Sequence, residues 1–327
     1  MTRVSRRQFN LGASAGVAAA ALGAGPALAQ AYPTQDVHFV CAFPPGSGAD
    51  VLVRYFAEKM RPYLNRAVIV ENKPGALSNV ATEYTARAKP DGHTIYIHGA
   101  SALSANMHLF KKPSVDVGKA IQIVATINKQ PTMLGVGASS PYQSVQELTA
   151  AMKAKGDKAT YATANPVAKI MGELYKQKAG LTSIEVVYRS SGDALNDIAS
   201  GNVDYIMIDN VAGMAQQRAG RLRMLAVSTK DRLGATGDIK TMTEQGVEMD
   251  LTGWWAAMVP MATPRPIVDQ LNVWFNEVVS TEETKKFLAE FASDPWVTKA
   301  DDAQAFFLQQ IDAWGDYVRI AKIEPQG

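Results

Sequence analysis

Short apolar runs of strand length alternate with longer stretches whose apolar residues recur at helical spacing. In the first part of the chain this pattern predicts strands at 37–43, 67–71 and 94–98, with helices at about 49–64 and 78–88 between them. The connections are short, and proline and glycine mark the turns. Strands and helices that alternate in this way are typical of parallel α/β layers.

The same alternation begins again near residue 131. The later strands are predicted at 132–136, 161–163, 184–188, 203–208 and 223–228. Ser144 and Glu147 form a capping box at one helix start, while Asn165 and Pro166 begin another helix that Gly180 ends. Helices are also predicted at 193–200 and 211–219.

A further strand at 253–259 is expected to return to the first lobe, and three amphipathic helices follow at about 265–279, 282–292 and 302–320. The sequence therefore predicts an α/β clamshell with two crossover strands. Its first lobe is expected to comprise residues 30–131 with 255–327, and its second lobe residues 132–254.

Each predicted lobe contains a strand that ends in a small, polar turn and leads into a helix, at 44–50 and at 161–168. Such a turn presents unpaired backbone N–H groups and the positive end of a helix dipole, which attract anions. The phosphate-binding pattern G-x-x-x-x-G-K-[ST] is absent, and Val51 stands where the dinucleotide pattern needs its third glycine. Two interpretations of the first turn remain open, namely a carboxylate pocket and an ordinary tight turn.

The first residues predict export. Ser5-Arg6-Arg7-Gln8-Phe9 is a twin-arginine core, and Ala27-Leu28-Ala29 is a cleavage site, so residues 1–29 are expected to be a signal peptide that directs the chain to the periplasm. An N-terminal membrane helix is the alternative, but residues 11–25 are too few and too rich in glycine. No later apolar stretch reaches the length of a spanning helix, so the mature chain is not expected to be inserted in the membrane.

Charge and composition limit the class of partner. The formal charge is +2, and because the leader carries three arginines and no acid, the mature chain has a charge of about −1. This balance argues against nucleic acid and anionic membrane as partners.

The chemistry of an enzyme is missing from the sequence. The four histidines lack metal-binding spacing, and no serine lies in a nucleophile elbow, so we expect no catalytic residue, no metal and no cofactor. His38 and His98 lie in strand-like runs and are interpreted as hydrogen-bonded structural residues. Cys41, the sole cysteine, is interpreted as a small buried hydrophobic residue.

Four further residues have two possible roles each. Asp50 either stabilises the start of its helix or organises water molecules or loop amides around a ligand. Asp209 follows a strand and either faces the interlobe crevice or caps the next helix. Trp254 and Trp255 point to opposite faces of a strand, so one is expected in the core while the other can line the cleft.

Several short motifs resemble one known family. They are Phe43-Pro-Pro-Gly46 with Asp50 and Arg54, Val70 to Ala76, Lys89 to Thr94, Val187-Tyr188 with 193–198, 201–204, 219–223 with 225–228, 244–246, and Trp255 to Pro264. Together they resemble the periplasmic solute-binding receptors of tripartite tricarboxylate transporters, often called Bug-type receptors. The resemblance implies a type II periplasmic-binding-protein fold and a receptor that captures a small organic acid for a membrane permease. The mature chain is expected to be a monomer.

The resemblance also implies the ligand-binding residues. The first loop offers Ser47, Gly48, Ala49 and Asp50, the second loop offers Thr163, Asn165, Val167 and Ala168, and Asn79, Ser101 and Asp209 match cleft-facing positions. The second loop carries a proline and a branched residue where the family usually has glycine and serine, which predicts fewer N–H donors and a more apolar wall. A carboxylate with an apolar or aromatic body then becomes an alternative to a dicarboxylate or tricarboxylate.

Two other functional hypotheses stand beside this one. A receptor of the same fold can present its liganded form to a sensor kinase instead of a permease. An enzyme that folds around a cofactor before export would also use the twin-arginine route, but the missing catalytic patterns count against it.

Overall fold

The computed structural model describes residues 32–327, and the predicted signal peptide at 1–29 lies outside the described residues. The strands are β1 Val37–Cys41, β2 Val68–Asn72, β3 Thr94–Gly99, β4 Ile121–Gln130, β5 Thr132–Gly137, β6 Thr160–Thr163, β7 Ile184–Val187, β8 Tyr205–Asp209, β9 Leu222–Val227, β10 Gly253–Pro260 and β11 Asp294–Pro295. The helices are α1 Gly48–Leu64, α2 Asn79–Ala86, α3 Ala100–Leu109, α4 Val117–Ala120, α5 Val145–Lys155, α6 Pro166–Ala179, α7 Leu195–Ser200, α8 Asn210–Arg218, α9 Arg265–Ser280, α10 Glu282–Glu290 and α11 Ala300–Ile320.

The strands form two mixed sheets. The first sheet has six strands in the order β11-β4-β10-β3-β1-β2, with β1 parallel to β2 and β3, and β10 antiparallel to β3 and β4. The second has five strands in the order β7-β6-β8-β5-β9, with β6 parallel to β7 and β8. The chain passes between the sheets from β4 to β5 and returns from β9 to β10, so the predicted two-lobed α/β fold is confirmed.

Local signals in the sequence explain where several helices begin and end. Ser144 caps α5 by accepting a hydrogen bond from the backbone N–H of Glu147, as the capping box predicts. Asn165 caps α6 in the same way, Pro166 is its first residue, and Gly180 ends it in a left-handed conformation. These predicted helix boundaries are confirmed.

Helix α3 and strand β4 are among the elements that were not predicted. Helix α3 buries residues on most of its surface, among them Leu103, Ser104 and Asn106, and therefore shows no amphipathic period. Strand β4 lies between β10 and β11 and is buried along most of its length, so its apolar and polar positions do not alternate cleanly.

Each sheet contributes to its own hydrophobic core, and helices α3 and α11 enter both. The first core includes Tyr96, Trp254 and Phe307, and Trp314 and Val318 belong to the second. Because Phe307, Trp314 and Val318 all lie on α11, this helix packs against both cores. The sole cysteine, Cys41, is buried in β1, as predicted.

No helix within residues 32–327 combines the length and the apolar character that crossing a bilayer requires.

Candidate ligand-binding site

The two predicted loops lie where parallel strands end. Strands β1, β2 and β3 run in one direction, so the loop after β1 lies on the same sheet edge as the ends of β2 and β3. Strands β6 and β8 are likewise parallel, which places the loop after Thr163 beside the end of β8 at Asp209. Ligands of open α/β sheets bind at such carboxyl edges.

The first loop is held by the carboxylate of Asp50, which is only 2% exposed. One carboxylate oxygen accepts hydrogen bonds from Gly46 N at 2.8 Å and from Arg54 Nε at 2.9 Å, and the other accepts from Asn72 Nδ2 at 2.7 Å. Burial alone would raise the pKa of Asp50, but the bonds from Arg54, Asn72 and Gly46 together lower it. Asp50 therefore organises an amide of the first loop at the start of α1, and its carboxylate oxygens are engaged by protein donors.

Two N–H groups of the first loop lack a partner among residues 32–327. The Ser47 hydroxyl accepts from Asp50 N at 3.2 Å and donates to Pro44 O at 2.9 Å, which completes the helix cap. Within the described chain, the N–H groups of Gly48 and Ala49 have no hydrogen-bond partner. Both belong to the first turn of α1, where the helix dipole favours an anion.

The second loop has the same arrangement. Asn165 Oδ1 accepts from Ala168 N at 2.9 Å, which occupies the donor that Ala168 would offer. The N–H groups of Asn165 and Val167 have no partner among residues 32–327. The N–H groups without a partner in this loop are therefore those of Asn165 and Val167. Thr163 and Ala168, which were also predicted to bind the ligand, form hydrogen bonds within the protein instead.

Thr163 belongs to a small polar network beneath the second loop. It is buried, and its hydroxyl donates to Glu185 Oε1 at 2.6 Å. The other carboxylate oxygen of Glu185 pairs with Lys169 Nζ at 3.1 Å. Lys169 is thereby occupied by a protein carboxylate.

The other residues predicted to bind the ligand also lie at the carboxyl edges of the two sheets. Asn79 begins α2 and accepts from Asn106 Nδ2 at 3.3 Å, and Ser101 is half-buried in the first turn of α3. Asp209 Oδ1 accepts from Ala212 N at 2.9 Å and so caps α8. Of the two roles predicted for Asp209, capping is the one the structure displays.

One residue missed by the sequence analysis, Phe291, connects the first loop with the end of β8. A Cβ atom on Gly48 would lie 3.7 Å from Phe291 Cε1, so this ring stands against the loop. The buried amide of Asn210 donates to Phe291 O at 2.5 Å and to Ala292 O at 3.2 Å. Phe291 carries no local sequence signal, because its position depends on packing between distant segments.

An aromatic group lies beside the first loop. The ring centroids of Phe43 and Trp255 are 6.2 Å apart with an interplanar angle of 28°, and His98 lies 5.4 Å from Phe43 and 5.6 Å from Trp255. Trp254 is fully buried and Trp255 is half-buried, which confirms that the two indoles face different environments.

His98 departs from its prediction. It is 2% exposed, and neither of its ring nitrogens has a hydrogen-bond partner in the described structure, so the expectation of a hydrogen-bonded imidazole is wrong for this residue. Burial lowers the pKa of His98 to about 3, which keeps the ring neutral. His38, by contrast, pairs with Glu71.

Comparison with known proteins gives consistent matches over most of the chain. The model of the family described as the tripartite tricarboxylate transporter family receptor matches residues 52–323. A UPF0065 protein of Bordetella bronchiseptica is 32% identical over 308 residues, which cover 93% of this chain and 91% of that protein.

Two solved structures share the fold. One is Rpa4515 of R. palustris with adipate, which is 26% identical with a TM-score of 0.74 and is matched over 90% of this chain and 99% of that one. The other is the periplasmic binding protein BugD, at 26% identity and a TM-score of 0.70, matched over 90% of this chain and 100% of that one.

Proposed function

The chain belongs to the tripartite tricarboxylate transporter receptor family, and from this premise we propose that it captures a small organic carboxylate in the periplasm and delivers it to a membrane permease. The family is one of solute-binding receptors and not of enzymes. The proposed export route is the twin-arginine pathway, on the basis of the motif at Ser5 to Phe9.

The observation that carries the proposal is the set of main-chain N–H groups left without a partner at the two helix starts. Gly48 and Ala49 supply two in the first loop, and Asn165 and Val167 supply two in the second. A carboxylate has acceptor capacity for several donors, and both helix dipoles favour its charge. The adipate in the R. palustris relative is an acid of the proposed class.

Hydrogen bonds from main-chain donors can account for micromolar binding of a carboxylate without a ligating arginine. Each hydrogen bond to a charged group contributes roughly 1.5 to 3 kcal/mol, so three or four donors together with apolar contacts reach the about −8 kcal/mol of micromolar affinity. Ordering the ligand and the two lobes takes up part of this gain.

The proposal is tested by thermal melts of the mature protein with aliphatic, aromatic and tricarboxylic acids. A ligand present at about 100 times its Kd adds about 2.7 kcal/mol to the stability of the folded state. For a protein of this size we expect a rise of several degrees in Tm with at least one acid.

The substitution Gly48→Pro tests whether the first loop binds the carboxylate. This residue is the first of α1, where proline is tolerated, and Ser47 already has the extended conformation that precedes proline (φ −70°, ψ 159°). The substitution therefore removes one N–H with little change elsewhere. Gly48→Ala is the matched control, because it adds a Cβ atom at an ordinary 3.7 Å from Phe291 and keeps the N–H.

We expect Gly48→Pro to lose most of the ligand-induced shift and Gly48→Ala to retain it, with similar Tm values in the absence of ligand. A full shift in the proline variant would exclude the first loop as the carboxylate site.

A further inference from the structure

The first loop is flanked by aromatic rings, which we call the aromatic wall and define as Phe43, Trp255 and Phe291. Phe43 stands immediately before the first loop and is half-buried, and its ring is stacked with that of Trp255 at 6.2 Å. Strand pairing sets Trp255 opposite Gly99 at the carboxyl end of β3, on the edge from which the loop emerges.

Phe291 is the third residue of the wall and contacts the first loop from a different segment of the chain. Its ring lies close to Gly48, whose N–H is one of the free donors, so an acid held by this N–H has Phe291 as a neighbour. The ring is braced by Phe287, with centroids 5.1 Å apart, and the Asn210 amide fixes its carbonyl group. A ring supported in this way offers contact area at a small cost in conformational entropy.

The imidazole that contacts the wall from the interior is uncharged. His98 contacts both Phe43 and Trp255, is almost fully buried, and has no hydrogen-bond partner for either ring nitrogen in the described structure. Because burial strongly lowers the pKa of His98, the imidazole carries no positive charge that would attract a second carboxylate.

Two cations on the helices that begin at the loops are already engaged. Arg54 donates to Asp50 at 2.9 Å, and Lys169 pairs with Glu185 at 3.1 Å. A dicarboxylate would place its second charge near groups whose positive charge is compensated by protein carboxylates. Arg189 is the cation that favours the competing hypothesis of a dicarboxylate ligand, because it could pair with a second carboxylate. It lies two residues after β7, is exposed and forms no ion pair within residues 32–327.

From these contacts we propose that the ligand is a monocarboxylic acid with an aromatic body, whose carboxylate binds the loop N–H groups and whose ring packs on the aromatic wall. This inference rests on the proposed function, because it uses the same loops as the carboxylate site. Aromatic contacts contribute beyond the burial of apolar area when rings can stack or meet edge to face. Trp255 and Phe43 are the specificity-determining residues.

The test is isothermal titration of the mature protein with matched acids. The aromatic probes are benzoate, phenylacetate and 3-phenylpropanoate, and the controls are cyclohexanecarboxylate, hexanoate and adipate. Cyclohexanecarboxylate has nearly the size of benzoate without an aromatic ring, so the pair isolates the contribution of stacking. We expect at least one aromatic probe to bind about tenfold more tightly than its aliphatic counterpart.

Variants of the wall residues test whether the aromatic wall causes the preference for aromatic acids. Trp255→Leu and Phe43→Leu should each weaken the preferred aromatic acid about tenfold while changing cyclohexanecarboxylate by about twofold or less. Trp255→Tyr should keep most of the preference, because it retains a ring. Trp274→Phe is the control for tryptophan replacement, since Trp274 lies in α9 outside the wall.

The wild-type titrations alone can overturn the inference, so it does not depend on how the variants fold. It fails if adipate or another non-aromatic acid binds more tightly than all three aromatic probes. If Arg189→Gln then removes the affinity for adipate, the site takes a dicarboxylate. It also fails if Trp255→Leu weakens aromatic and aliphatic acids equally.

Failure of the proposed function would look different. In that case no acid of any class binds, or Gly48→Pro leaves the affinity for every acid unchanged.

Discussion

Acidification should destabilise the protein through His98. In the folded state burial lowers the pKa of this residue to about 3, whereas an unfolded histidine has a pKa of about 6.5. Below pH 6.5 the unfolded chain therefore binds a proton that the folded chain does not, and stability is lost as the pH falls from 6.5 toward 3. Between pH 7.5 and pH 4.5 the loss from this residue alone amounts to about 3 kcal/mol.

The assay is urea denaturation of the mature protein at these two pH values, with the free energy of unfolding taken from the midpoint and slope. His98→Phe keeps an aromatic ring against Phe43, Tyr96 and Trp255 but cannot be protonated. We expect the wild type to lose about 3 kcal/mol more than His98→Phe on acidification. Carboxylates with lowered pKa, such as Asp50, reduce stability in both proteins and cancel in the difference.

Tyr96→Phe is the control for disturbance of this packing. Tyr96 stacks on His98 at 5.2 Å, and burial raises the pKa of its phenol, so it does not titrate in the acid range. This variant should lose as much stability on acidification as the wild type. Equal losses in the wild type and in His98→Phe would refute the reasoning, because they would mean that His98 accepts a proton in the folded state.

Three further predictions concern the loops and the second core. Asp50→Ala should lower the free energy of unfolding by about 3 kcal/mol in urea at neutral pH, since it removes a buried acceptor of three hydrogen bonds; a loss below about 1 kcal/mol would contradict this. Asn165→Asp keeps an acceptor for Ala168 N but adds a negative charge, so it should weaken carboxylate binding at least tenfold in titrations at low salt, whereas Asn165→Ser should not. Gly172→Ala should cost about 3 kcal/mol in the same urea assay, because its Cβ atom would lie 2.2 Å from Tyr161 Cε2; an unchanged midpoint would show that the ring moves freely.

Features set by neighbouring residues could be predicted from the sequence. Ser144, the Asn165-Pro166 pair and Gly180 determine helix ends through their own side chains and backbone preferences, and the structure places those ends as expected. Strand β4 and helix α3 were missed because an element buried on several sides loses the period that identifies it.

The details of the site depend on contacts that the sequence does not display. That Gly46 N is occupied while Gly48 N is free follows from the position of Asp50, which in turn depends on Asn72 from another strand. Phe291 reaches the first loop only because the segment after α10 packs there. The burial of His98 likewise results from rings contributed by β3, β10 and the loop after β1, so its unpartnered nitrogens had no local signal.

Helix α11 connects the two cores along its length. Phe307 packs in the first core, and Trp314 and Val318 pack in the second. Close-packed interiors do not slide past each other without losing contacts. We therefore expect any relative motion of the two sheets on ligand binding to keep α11 packed against both cores.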